Sequence, residues 1–251
     1  MKEQIHTIPV NEAFSSGDEC PFCHMEREVE QRVINYVLGP GASYMEPDMR
    51  AVTDEEGFCG AHLKKMYDYG NYLGSALILQ TYYIGLLEEL EQQLEDFELP
   101  EKKKRFRRKN AEASESSLVQ WMRKKQDSCY ICNKMEYNMA RYYHTFFVLL
   151  KDAEFRAKVE GCKGFCMRHF LRLMEEAPEK LPSDRRDWFY ETVFSLMREN
   201  LSRVKEDLDW FIAKFDYRNA SAPWKNSQDA VSRTMQKLQG LHPADPPFKP
   251  R

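Results

Sequence analysis

Four short motifs carry the chemistry this sequence can do. Cys20-Pro21-Phe22-Cys23 and Cys129-Tyr130-Ile131-Cys132 are C-x-x-C pairs, and Gly57-Phe58-Cys59-Gly60-Ala61-His62 and Gly164-Phe165-Cys166-Met167-Arg168-His169 are Gly-Phe-Cys-x-x-His runs. A C-x-x-C pair at a turn or helix start lets two sulfurs converge on one point. A Cys and a His three positions apart lie one helical turn apart on one face. Gly57 and Gly164 free the backbone just before that turn. Three thiolates and one imidazole make the tetrahedral Cys3His shell of structural zinc, whose bonds of about 2.3 Å to sulfur and about 2.0 Å to nitrogen demand tight convergence.

The motifs occur in the same order twice. Cys59 follows Cys23 by 36 positions and Cys166 follows Cys132 by 34. An acid-x-Arg triplet precedes each Gly-Phe-Cys, Asp48-Met49-Arg50 and Glu154-Phe155-Arg156, and could brace the loop beside the metal. Such an internal repeat fixes the expected architecture. Each copy reads as one site of its own: Cys20, Cys23, Cys59 and His62 in the first, and Cys129, Cys132, Cys166 and His169 in the second, each holding one Zn2+. With every coordination position filled by protein, the expected role is structural, not catalytic.

Other readings of the same residues remain open. An iron–sulfur cluster also takes sulfur-rich ligand sets. A C-x-x-C pair is the thioredoxin-like dithiol, although that motif sits in a strand–helix context and no strand is legible here. Cys20 to His24 spells the haem c attachment pattern, but that chemistry needs export, and the second copy has Asn133 at the matching place. Cys162 and His144 are alternative ligands without counterparts in the first copy, and the ordinary helix-packing role suits them better.

Composition bounds the rest. The chain has 251 residues, 42% apolar and 31% charged, with a formal net charge of -3, which suits a soluble globular protein and gives no global field toward nucleic acid or membrane. The N-terminal residues contain no secretory apolar core, and no stretch approaches the roughly 18 apolar residues of a membrane span. The expected location is cytoplasmic, where thiols stay reduced and a disulfide framework is excluded.

The elements that must position the motifs read as helices. Apolar spacing predicts helices over about 21–38, 58–96, 117–151 with an interruption at Cys129–Cys132, 165–176 and 183–215. Residues 42–56 read as loop with one turn. In the 58–96 helix, Leu73, Leu77, Tyr83, Leu87, Leu90 and Leu94 form the expected buried stripe, and Gly74 and Gly85 weaken it without breaking it. After Phe215 the periodicity fades toward an irregular C-terminal tail. The expected fold is an all-α helical bundle of two pseudo-symmetric metal-binding repeats, 1–96 and 117–215, joined by a charged linker, 97–116, and followed by an extension, 216–251.

The linker carries the basic run Lys102 to Lys109, which could grip phosphates, but it follows an acidic stretch and no helix shows a base-reading face. A nucleic-acid-binding regulator is therefore a third reading, behind a metal-stabilised module for an unknown protein partner and a redox protein. No motif of a phosphate loop, metalloprotease or serine hydrolase occurs, and nothing points to an enzyme.

Several segments carry a family resemblance: Ile8 to Phe14, Cys20-Pro21-Phe22-Cys23, Met45 to Arg50, Gly57 to His62, and at the C-terminal end Lys214 to Asn219 with Pro223-Trp224 and Asp229-Ala230. In these the chain resembles a bacterial domain family of unknown function, number 6062, over nearly its whole length. The resemblance implies a cytosolic protein from an anaerobic Gram-positive lineage, brings no activity with it, and implies that residues 1 to about 240 form one unit.

Overall fold

A computed structural model describes residues 7–99 and 116–240. The basic run 102–109 and the end of the C-terminal extension lie outside the described residues. Among the described residues there are eleven α-helices, three short 3-10 turns and no strand. The all-α expectation is met.

The helices are α1 (Ile8–Ser15), α2 (Pro21–Leu38), α3 (Pro47–Glu56), α4 (Gly60–Tyr69), α5 (Tyr72–Glu95), α6 (Ser117–Asp127), α7 (Tyr130–Leu149), α8 (Ala153–Glu160), α9 (Met167–Lys180), α10 (Arg186–Ala213) and α11 (Ala230–Gln239). The chain forms two compact units, and these do not follow the repeats read from sequence. One unit comprises Met1–Glu30 with Glu136–Pro246, and the other takes in Gln31–Met135. Helices α2 and α7 each give their first and later turns to different units.

Several elements differ from the sequence reading, each for a local reason. The segment read as loop contains α3, whose Pro47 sits in the first turn and whose Met49 and Thr53 bury one face. The helix expected over 58–96 is two helices. Gly70, at φ 87°, ends α4 in the left-handed region, and Asn71 starts α5 by accepting the Gly74 N–H at 3.0 Å. The stripe expected to be buried on α5 faces mostly outward instead, with Leu73 69%, Tyr83 60% and Leu87 52% exposed and only Leu77 and Leu90 of its six residues half-buried. Its buried residues are Gly74, Ser75 and Ile78.

Helices α1, α8 and α11 are additions to the sequence reading. Helix α11 escaped apolar periodicity because its buried face is Ala230, Arg233, Gln236 and Lys237. Those polar groups satisfy buried partners, as the site below shows.

In the first unit the core is aromatic. Phe22 stacks on Tyr143 with centroids 4.2 Å apart, Phe14, Phe146 and Phe165 meet Phe22 edge-on or tilted, and Phe155 packs edge-on against Phe14 and Phe146 behind them. Such contacts add to the area term that burial supplies. In the second unit the core gathers Ile34, Val37 and Leu38 of α2 with Met66, Tyr69, Ile78, Tyr130 and Ile131. Both cores contain C-x-x-C residues, so the motif helices are fixed where their cysteines stand.

Two candidate metal centres

Each motif occupies the same local position, the N-terminus of a helix. Cys59 and Cys166 are the N-cap residues of α4 and α9 with matching extended backbones, φ -74° and ψ 160° against φ -76° and ψ 160°. Cys20 and Cys129 immediately precede α2 and α7, and their carbonyls accept the N–H groups of His24 and Asn133 at 3.1 and 3.0 Å. The second residue of every motif, Cys23, His62, Cys132 or His169, therefore lies one turn into its helix and points the same way as its N-cap. Gly57 and Gly164 make the turn into α4 and α9 with φ of 63° and 75°, and a side chain at either would press on Tyr82 or on the Leu196 carbonyl.

The four helix starts pair crosswise. In the first unit Cys20, Cys23, Cys166 and His169 come together, and in the second Cys59, His62, Cys129 and Cys132 do, the donor atoms of each group all within 4.8 Å of one another. This corrects the ligand sets read from sequence. Cys20 and Cys23 do not share a site with Cys59 and His62, nor Cys129 and Cys132 with Cys166 and His169. All eight residues are used, but each site takes its C-x-x-C from one motif copy and its Cys-x-x-His from the other. Cys162 and the exposed His144 belong to neither group.

The spacing fits a single tetrahedral ion. Zinc–ligand bond lengths imply sulfur–sulfur edges of about 3.8 Å and sulfur–nitrogen edges of about 3.5 Å. In the first site His169 Nδ1 lies 3.4 Å from Cys20 Sγ, 3.4 Å from Cys23 Sγ and 3.2 Å from Cys166 Sγ, with Cys23 and Cys166 sulfurs 3.6 Å apart. In the second, His62 Nδ1 lies 3.3 Å from each of Cys59, Cys129 and Cys132, and the Cys59 and Cys132 sulfurs are 3.9 Å apart. Both imidazoles present Nδ1 to the sulfurs.

The surroundings hold the donors in place. His169 turns Nε2 toward the Glu26 carboxylate at 3.6 Å, and Arg168 in turn pairs with Glu26. A carboxylate behind a ligand histidine fixes its ring and raises its basicity. Cys20 N–H donates to Asp18 Oδ1 at 3.1 Å, and Asp18 is also bonded by Gln236. Burial alone would raise the Asp18 pKa, but the Arg27 guanidinium beside it holds it below the usual value. Lys237, buried in α11, donates to the Glu19 carbonyl at 2.6 Å and to the Lys163 carbonyl, and so clamps the turn before Cys20 to the turn before Cys166. In the second site the Tyr130 N–H donates to the Gly57 carbonyl at 3.0 Å and Asn133 to Glu56 at 2.7 Å, tying the start of α7 to the turn before α4.

Sequence reasoning missed Glu26, Asp18 and Lys237: Asp18 and Glu26 flank the first C-x-x-C, but Glu26 faces His169 and Lys237 reaches the Cys20 turn only through the fold. The acid-x-Arg triplets do brace a loop, though not as ion pairs: Arg50 donates to the Tyr44 carbonyl and Arg156 to the Leu150 carbonyl, at 2.8 and 2.9 Å and six residues back in each case.

The two sites differ in exposure. Cys20, Cys23, Cys166 and His169 are all buried, whereas Cys59 is half-buried and Cys132 exposed. Without a cation the crowded groups share protons unequally. Cys23 donates its thiol hydrogen to the Cys166 sulfur, which together with Cys20 and burial pushes Cys23 up, while the hydrogen bonds with Cys20, Cys23 and His169 hold Cys166 down. Burial would lower His169, but its hydrogen bonds to Cys166 and Cys20 outweigh that and push it up to about 10. In the second site burial and the neighbouring Cys129 push Cys132 up to about 12, while Cys129, despite burial, falls to about 6 through its hydrogen bond to His62. At neutral pH Cys23, Cys132 and His169 thus hold protons that a metal must displace.

An all-helical protein with two Cys3His groups placed to hold metal ions is the class these features define. The chain belongs to the Family of unknown function (DUF6062), which matches residues 1–245. No curated protein and no solved structure matches it. No helix among the described residues is long and apolar enough to cross a membrane.

Two outcomes follow from the geometry. Metal uptake at pH 7 releases at least about one proton per site, and affinity falls as pH falls because protonated ligands cannot bind. Calorimetry in buffers of different ionisation enthalpy reads this directly, and a buffer-independent heat would contradict it. Lys237→Met weakens metal binding at the first site about 10- to 100-fold, the usual cost of losing an outer support. Competition with a chromophoric chelator measures it, with the second site unchanged in the same sample.

Proposed function

We propose that this protein is a cytoplasmic helical module held together by two structural zinc ions, one per Cys3His group, and that it serves as a scaffold for a protein partner. The observation that carries this reading is the set of 3.2–3.9 Å donor separations, which suits one tetrahedral ion at each site. A polynuclear iron–sulfur cluster attaches its thiolates to separate irons and so needs a wider ring of donors. Four protein donors leave no open coordination position, which favours a structural over a catalytic metal.

Helix N-termini support the same reading. Each site gathers two of them, and their partial positive charge stabilises thiolate. All seven cysteines are free, consistent with a reducing compartment. A dithiol redox role has less behind it, since each C-x-x-C is one half of a four-donor group. The scaffold role rests on the outward stripe of α5, where Leu73, Tyr83, Ile84, Leu87 and Leu94 are exposed together on one long helix. A nucleic-acid role would rest on the basic run alone.

Elemental analysis of protein purified without oxygen tests the metal. The expected result is two zinc ions per chain in a colourless protein, and cobalt substitution giving the intense visible bands of tetrahedral thiolate coordination at both sites. A brown protein with several irons and inorganic sulfide per chain would replace this reading with the cluster.

A further inference from the structure

A cleft of 590 Å³ opens in the first unit, lined by Glu19, Lys163, Arg203, Lys225 and Arg233 among others. That volume is of the order of small-molecule sites, roughly 300–1,000 Å³. Its lining holds four cationic side chains against two carboxylates, Glu19 and Asp229.

The internal pairings do not use all of this charge. Arg233 is committed, with Nε on Asp229 at 2.8 Å, one terminal nitrogen on Asp207 at 2.9 Å and the other on the Asn226 carbonyl. Arg203 gives Nη2 to Glu19 Oε2 at 2.6 Å and Nε to Asn200 at 3.1 Å, which leaves Nη1. The Lys163 ammonium stands 4.0 Å from Glu19 Oε1, beyond hydrogen-bond reach, on a half-exposed side chain. Lys225 rests over the Trp210 ring at 4.5 Å, from a backbone held at φ 53°. A lysine in the left-handed region is uncommon, and its neighbours must hold it there.

Glu19 supplies the opposite polarity. Its side chain is only 5% exposed; Lys237 Nζ lies 3.3 Å from Oε2, while Oε1 is buried with no hydrogen-bond donor, its nearest cations being Arg233 Nη1 at 3.8 Å and Lys163 at 4.0 Å. A buried acceptor left without a hydrogen bond is destabilising, so an incoming donor is favoured there. The cleft thus offers unsatisfied cationic donors at Lys163, Lys225 and Arg203 beside one unsatisfied acceptor. Its floor is rigid, because Lys237 clamps the backbone of Glu19 to that of Lys163.

We propose that this cleft binds a small phosphate monoester bearing hydroxyl groups, with the phosphate on Lys163, Lys225 and Arg203 and a hydroxyl donating to Glu19 Oε1. A doubly charged phosphate matches the surplus of two cations, and guanidinium and ammonium groups are its usual ligands. The Glu19 carboxylate repels the phosphate end and so sets the direction of binding. The cleft adjoins the first metal site, Glu19 preceding Cys20, but its lining side chains are not among the metal donors, and ligand binding there does not depend on which metal those donors hold.

Calorimetry on the full chain with its native metal, at low ionic strength, tests this with ribose 5-phosphate, inorganic phosphate and ribose as probes. Ribose 5-phosphate should bind saturably and more tightly than inorganic phosphate, and ribose should not bind. Lys225→Gly, which removes the ammonium and suits the backbone at φ 53°, should weaken binding by about tenfold or more, as should Lys163→Ala. Both variants should keep the parent Tm and metal content, and Lys205→Ala, which loses only a pairing with Asp209, should bind as the parent does. Absence of saturable binding of either phosphate below about 10 mM, or unchanged affinity in both cleft variants, would overturn the proposal. Metal content measured in the same samples reports separately on the zinc reading.

Discussion

Three thiolates and an imidazole can share one cation only if their donor atoms stand at the corners of a tetrahedron with edges of about 3.5–3.8 Å. Flexible loops do not hold four atoms to that tolerance. Here the task falls to helix N-termini. Each motif is an N-cap residue and the residue three further on, so one helix start presents two donors in a fixed relation, and two starts meeting end to end complete the set. The same arrangement aims two helix dipoles at the thiolates, which offsets part of their mutual repulsion.

The crosswise pairing changes what each ion does for the fold. Pairing within a motif copy would close loops of about 36 residues. The observed sites join Cys23 to Cys166 across 143 positions and Cys59 to Cys132 across 73. On a chain-entropy estimate a cross-link over the longer span restricts the unfolded chain by about 5 kcal/mol, against about 4 for the local one. The gain in energy is modest. The gain in topology is larger, because each ion makes one motif copy dependent on the other.

The donor residues, the all-helical class and the tight Gly-Phe-Cys turns were legible in the sequence, because residue type and short-range spacing decide them. The partner of each motif was not. Two C-x-x-C pairs and two Cys-x-x-His pairs are chemically interchangeable, so spacing cannot tell which pair meets which. That choice is made by packing. Phe22 stacks on Tyr143 beside His169, and Tyr130 bonds the Gly57 carbonyl beside Cys59. Helix α11 was illegible for a related reason: Arg233, Gln236 and Lys237 bury polar atoms against polar partners, which leaves no apolar period to read. The stripe on α5 misled in the opposite direction, since its period is helical but the face it marks is exposed.

The pairing is tested most directly by metal content in two double variants, each lacking one C-x-x-C cysteine and one Cys-x-x-His cysteine. Cys23→Ala with Cys166→Ala damages one site under the crosswise account, so the purified protein should keep one metal ion per chain. Cys23→Ala with Cys59→Ala damages both, so none should remain. The reverse result, with the second variant keeping one ion and the first keeping none, would show that each motif copy closes on itself and would contradict the account.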